Sequence, residues 1–168
     1  MGKRIVVVGA GAVGGYVGGH LTRAGHDVTL IDSWPEHVEA MRRDGLQLSG
    51  LTAAERHTVP GNALHLTEVQ GLVRQKPIDV AIVSVKSYDT EWATLLIRQY
   101  LAPGGFVVSL QNCINEERIA QHVGWGAPWA ASRVSSPWSS TSPAASSARF
   151  RWAGTGTRSF ASANPMGA

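Results

Sequence analysis

The chain is expected to fold as an α/β domain on a doubly wound, mainly parallel sheet, and three features of its sequence carry that expectation. Residues 3–8 and Ile78–Val85 are short, nearly all-apolar runs of the kind buried on both faces of a parallel sheet. Such runs alternate with segments whose apolar residues recur at helical spacing, and alternation of this kind calls for right-handed crossovers between parallel strands. A glycine turn, Gly9-Ala10-Gly11-Ala12-Val13-Gly14, lies between the first strand and the first helix.

The elements follow in order. From Ala12 to Ala24, Val13, Tyr16, Val17, His20 and Leu21 recur at helical spacing, and Gly25 stands where a left-handed cap would stop the helix. Asp27 to Ile31 predicts a second strand ending at Asp32, and Pro35 leads into a helix over Glu36–Arg43 closed by Asp44-Gly45. Leu46–Leu48 and Arg56–Val59 predict a small hairpin around Gly50. After the strand Ile78–Val85, a helix is expected from Ser87 to Tyr100 with Trp92, Leu95, Leu96 and Gln99 along one side. Pro103-Gly104-Gly105 should end it before a strand at Phe106–Leu110, and Asn115 is placed to cap a helix over Glu116–His122.

A chain of 168 residues that is 43% hydrophobic supports one domain with a real core. The net charge of +3 is unevenly spread: residues 1–117 carry −2, and residues 118–168 carry +5 from arginines alone. The basic balance therefore belongs to the last third and does not point to a nucleic-acid partner. Cys113 is the single cysteine, which excludes an internal disulfide framework, and the six histidines lack metal-ligand spacing, so no metal is expected. The early apolar run breaks at once into glycines and no run approaches membrane-spanning length; a cytoplasmic protein without a membrane anchor is expected.

The glycine turn is informative because a strand precedes it and a helix follows it. In that context Gly9 permits the tight turn, Gly11 lets backbone approach a pyrophosphate, and Gly14 lets helix and strand pack closely. Gly9, Ala10, Gly11, Ala12, Val13 and Gly14 are thus candidate cofactor-binding residues of a Rossmann-type domain, with the anion on the helix N-terminus. Asp32 closes the second strand at the distance where an acid bonds the adenosine ribose hydroxyls, which favours NAD. Arg42 and Arg43 are near enough in sequence to keep NADP open.

From about Lys3 to His122 the sequence resembles the N-terminal domain of the ketopantoate reductase (2-dehydropantoate 2-reductase) family. The resemblance is carried by Val8-Gly9-Ala10-Gly11-Ala12-Val13-Gly14-Gly15, Ala24-Gly25-His26-Asp27-Val28-Thr29, Val85-Lys86-Ser87-Tyr88 and Gln111-Asn112-Cys113-Ile114-Asn115-Glu116. It implies an NAD(P)-dependent oxidoreductase that reduces a 2-keto acid such as 2-dehydropantoate, with a role in pantothenate biosynthesis and NADP as the family's cofactor. It also implies that Lys86 and Asn112 face the nicotinamide and the keto acid, so both are candidate catalytic and cofactor-contacting residues. The family pattern has glycine where this chain has Cys113; if that position needs a positive φ, the turn is strained. A flavin-binding reading uses the same βαβ unit, but the match at Lys86 and Gln111-Asn112 points to nicotinamide.

Residues 1–123 are expected to form the dinucleotide-binding domain. From about Gly124 the chain turns to Ala, Ser, Pro, Gly, Arg and Trp with no Leu, Ile, Lys, Asp or Glu, and residues 124–168 are expected to be poorly ordered or translated out of frame. In the family resembled, the proton-donating lysine and a substrate-binding glutamate come from a C-terminal domain, yet no lysine follows Lys86 and no acid follows Glu117. The alternative is therefore a truncated module that binds NAD(P) without turnover, prone to self-association through uncovered core.

Overall fold

A computed structural model describes residues 2–49 and 56–124. The expectations for the tip of the hairpin and for residues 125–168 lie outside the described residues.

The chain opens with β1 (Arg4–Val8), of which Val6, Val7 and Val8 are fully buried. Valine suits this place because its branched carbon packs well on a pleated surface, and each such side chain removed from water stabilises the fold by roughly 1.5–3 kcal/mol. Helix α1 (Ala12–Arg23), strand β2 (Asp27–Asp32) and helix α2 (Pro35–Asp44, with proline in the first turn) follow as expected, and Gly25 has φ +86° after α1. Strands β3 (Leu46–Leu48) and β4 (His57–Val59) pair antiparallel as the expected hairpin.

Two elements were not expected from the sequence: β5 (Ala63–His65), and a 3-10 segment at Leu66–Arg74. Three residues of strand are too short to show periodicity, and β5 exists because its edge pairs with β2 from Leu30 to Asp32. Then come β6 (Ile78–Val83), a 3-10 turn at Ser87–Asp89, α3 (Thr90–Arg98), β7 (Leu101–Ser109) and α4 (Glu116–Val123).

Four local expectations are corrected. Strand β6 ends at Val83, two residues early, because Ser84 and Val85 already turn over the glycine loop. The buried face of α3 is Thr90, Ala93, Thr94 and Ile97, while Trp92 and Leu95 are 36% and 37% exposed. Thr90, Ala93 and Thr94 bring the helix close to the sheet and Ile97 fills the core there; Leu96 packs partly buried against the same core, whereas Trp92 and Leu95 turn outward. Strand β7 runs through Pro103-Gly104-Gly105, absorbing them in a register shift between Ile78↔Leu101 and Val80↔Phe106. Asn115 occupies the N-cap position of α4 but donates its side-chain amide to the Asn112 carbonyl at 2.8 Å in place of capping the helix.

The main sheet has the order β5-β2-β1-β6-β7 with every pairing parallel. One face packs Val7, Leu30, Val38, Met41, Leu46 and Val59 with α1, α2 and the hairpin. The other packs Val6, Val8, Val69, Leu72, Ile97 and Ile119 with the 3-10 segment, α3 and α4. Strand order reverses between β1 and β6, which is where open α/β sheets form a ligand crevice beyond the carboxyl ends of their strands.

Candidate functional site

A cleft of about 480 Å³ lies at that reversal. Every strand of the parallel sheet leads into it: β1 through Gly9, Gly11, Ala12 and Val13; β2 through Asp32 and Ser33; β5 through Leu66; β6 through Ser84, Val85 and Lys86; β7 through Gln111 and Asn112. Its size is that of a cofactor or small-ligand pocket.

The glycine turn has the geometry the sequence suggested. Gly9 adopts φ +97°, closed to most side chains, and a Cβ there would stand 2.9 Å from the Val85 nitrogen. A Cβ on Gly14 would stand 2.0 Å from the Gly9 carbonyl oxygen and 2.2 Å from Ser84 Oγ, so helix and turn meet only because hydrogen occupies that place. At Gly11 a Cβ would meet nothing within 4 Å, which leaves free the surface a pyrophosphate would need. Helix α1 has no side-chain cap and no acid in its first turn, so the N–H groups and partial positive charge of its start are available to an anion. These features fit the adenine dinucleotide that the motif implies. Of the predicted cofactor residues, Ala10 and Gly14 are buried behind the loop and support it without lining the cleft.

The turn is held from three sides. Asp32 Oδ2 accepts from the Ala10 amide at 2.8 Å, and Oδ1 accepts from the Trp34 amide at 3.0 Å. Buried His37 donates through Nε2 to the Ala10 carbonyl at 2.9 Å, pinning the next peptide of the turn. Ser84 Oγ donates to the Gly9 carbonyl at 2.7 Å, tying β6 to the turn. Sequence reasoning assigned no role to His37 or Ser84, because their partners are backbone atoms brought close only by folding.

At the other end, Lys86 is exposed and lines the cleft with no ion-pair partner among the described residues. Asn112 is exposed and lines it as well, with its carbonyl held by Asn115. Gln111 joins the loops that carry both: its Nε2 donates to the Val85 carbonyl and to Thr90 Oγ1, each at 2.8 Å. Thr90 in turn donates to the Ser87 carbonyl at 2.7 Å. Gln111 was visible in the sequence only as part of a motif; its side-chain amide is the brace of this corner. Cys113, next in the chain, has φ +75° and is the one non-glycine residue with positive φ among those described. The condition for strain in this turn is therefore met.

Among the described residues no cluster of three or more His, Cys, Asp or Glu could hold a metal ion, and no helix is long and apolar enough to cross a membrane.

A parallel sheet with a glycine turn and an acid at its reversal point defines a Rossmann-type α/β domain. The sequence matches the family model for ketopantoate reductase PanE/ApbA over residues 5–164, and the chain belongs to that family. It is 40% identical over 119 residues to a 2-dehydropantoate 2-reductase of Pyrococcus horikoshii, covering 70% of this chain and 36% of that protein. A PanE/ApbA family ketopantoate reductase from Ralstonia eutropha JMP134 superposes with a TM-score of 0.62 at 34% identity, over 73% of this chain and 39% of the other. A D-mandelate dehydrogenase solved with NADH and anilino(oxo)acetate gives 0.61 at 28% identity, over 72% and 37%. The chain thus spans less than two fifths of the length of these relatives.

Proposed function

We propose that this chain binds NAD(P) in the cleft at the β1/β6 reversal and serves an oxidoreductase that reduces a 2-keto acid of the 2-dehydropantoate type. The observation that carries the reading is the convergence on one cleft of the glycine turn, Asp32, Lys86 and Asn112. The pyrophosphate lies on the α1 N-terminus beside Gly11, and Asp32 takes the adenosine ribose. Lys86 and Asn112 meet the nicotinamide and the keto acid, where the ammonium of Lys86 attracts the substrate carboxylate. The bound cofactor supplies the hydride. The names of the relatives, among them a dehydrogenase solved with NADH, support a nicotinamide cofactor.

A second reading is a module that binds NAD(P) without turning it over. It differs from the first in lacking a group to protonate the forming alkoxide, which ketone reduction also needs. One experiment separates the two. Purified protein is titrated with NADH and NADPH by fluorescence, then 2-dehydropantoate is added and loss of reduced-cofactor absorbance is followed. Binding with oxidation supports the first reading and binding without it the second; a folded protein that binds neither nucleotide overturns both.

A further inference from the structure

The sequence left the choice between NAD and NADP open, because Arg42 and Arg43 follow Asp32 closely enough to offer a site for a 2′-phosphate. The structure accounts for both arginines. Arg42 donates through Nε to the Ala63 carbonyl at 2.9 Å, through Nη1 to Glu39 at 3.0 Å, and through Nη2 to Glu68. Glu68 is itself anchored, accepting from the His65 amide at 2.8 Å. Arg43 donates to both carboxylate oxygens of Asp44, at 2.9 and 2.7 Å. Neither arginine lines the cleft.

What remains at the β2 end of the cleft is Asp32, Ser33 and Leu66. The nearby ring of His65 offers no free donor, because its Nε2–H goes to the Ser33 carbonyl at 3.2 Å and its Nδ1 faces the hydroxyl of Thr67. Lys86 is the single cationic residue lining the cleft among those described, and it stands across the sheet at the end of β6. Each Asp32 oxygen takes one backbone amide and keeps a second lone pair, so the carboxylate is positioned and still able to accept from ribose hydroxyls. A phosphate at the same place would meet a fixed negative charge with no cation among the described residues lining that end of the cleft.

We propose that this domain selects NAD(H) over NADP(H), with Asp32 as the discriminating residue and with Glu39, Glu68 and Asp44 keeping Arg42 and Arg43 engaged elsewhere. The inference rests on the nucleotide-binding reading above.

The test is direct binding, which needs no turnover. NADH and NADPH are titrated by fluorescence, with AMP and 2′-AMP as competitors that probe only the adenosine end. NADH is expected to bind at least about tenfold more tightly than NADPH, and AMP to compete better than 2′-AMP. Ser33→Arg adds a cation at an exposed, cleft-lining position and should narrow the gap by improving NADPH. Asp32→Asn should narrow it further; because the variant costs one backbone amide its acceptor, its fold is checked by circular dichroism. NADPH binding as well as or better than NADH in the unaltered protein overturns the selectivity alone, whereas binding of neither overturns the nucleotide site as a whole.

Discussion

Replacing Cys113 by glycine is expected to stabilise the protein, and replacing it by alanine is not. At φ +75° the Cβ of residue 113 crowds the following carbonyl, at a cost of ~1–2 kcal/mol for a left-handed residue. The thiol is exposed, so its removal gives up little buried surface. Glycine adds flexibility to the unfolded chain, which takes back ~0.4–1 kcal/mol. The balance favours glycine by about 0.5–1 kcal/mol, while alanine keeps the Cβ and with it the strain. For a chain of this size the gain corresponds to roughly 1–4 °C in melting temperature. Thermal and urea unfolding of the three proteins side by side measures it, and C113G melting no higher than C113A would refute the assignment of strain to the Cβ. Because the same turn carries Asn112, NADH should bind C113G more tightly than C113A if the strain reaches the cleft.

Other perturbations separate folding from binding. Gly11→Val should melt like the unaltered protein, since a Cβ at Gly11 meets nothing within 4 Å, yet lose more than about tenfold in NADH affinity as the side chain occupies the pyrophosphate surface; unchanged affinity in a titration would refute the role of the turn. Gly14→Ala should instead destabilise the fold by ~1–3 kcal/mol or more in urea unfolding, because its Cβ would lie 2.0 Å from the Gly9 carbonyl oxygen and the backbone must move. The hydrogen bond from Arg42, aided by the His65 amide, holds the Glu68 carboxyl below its ordinary 4.5. Its contribution is thus whole above that pH and fades as the pH falls through the lower folded value. The side chain is 42% exposed, so the effect is small, under about 1 kcal/mol and reduced by salt, and Glu68→Gln should flatten that part of an acid-unfolding curve.

Much of this domain was legible because its signals are local. The glycine turn announced itself by spacing, and a strand before it and a helix after it are all that the motif requires. Short apolar runs at β1 and β6 showed strands buried on both faces, and Gly25 and Pro35 marked helix ends through backbone constraints that act within a few residues. Lys86 and Asn112 were singled out by a family motif, and both line the cleft.

Folding alone decided the features that depend on distant partners. Strand β5 and the passage of β7 through Pro103-Gly104-Gly105 exist through pairing with β2 and β6, which no short window of sequence contains. The close face of α3 is made of Thr90, Ala93, Thr94 and Ile97, three of them small enough to let the helix approach the sheet; of the expected Trp92, Leu95, Leu96 and Gln99, Leu96 packs partly buried against the core while Trp92 and Leu95 are exposed. His37 and Ser84 became supports of the glycine turn, and Gln111 the brace of the Lys86 corner, through hydrogen bonds spanning 27, 75 and 26 residues. The sequence by itself determined which residue types stand at the turn and in what order the elements follow. The tertiary structure decided that Arg42 faces Glu39 and Glu68 and that, among the described residues, no cation stands beside Asp32, because charge pairing is set by distance in space.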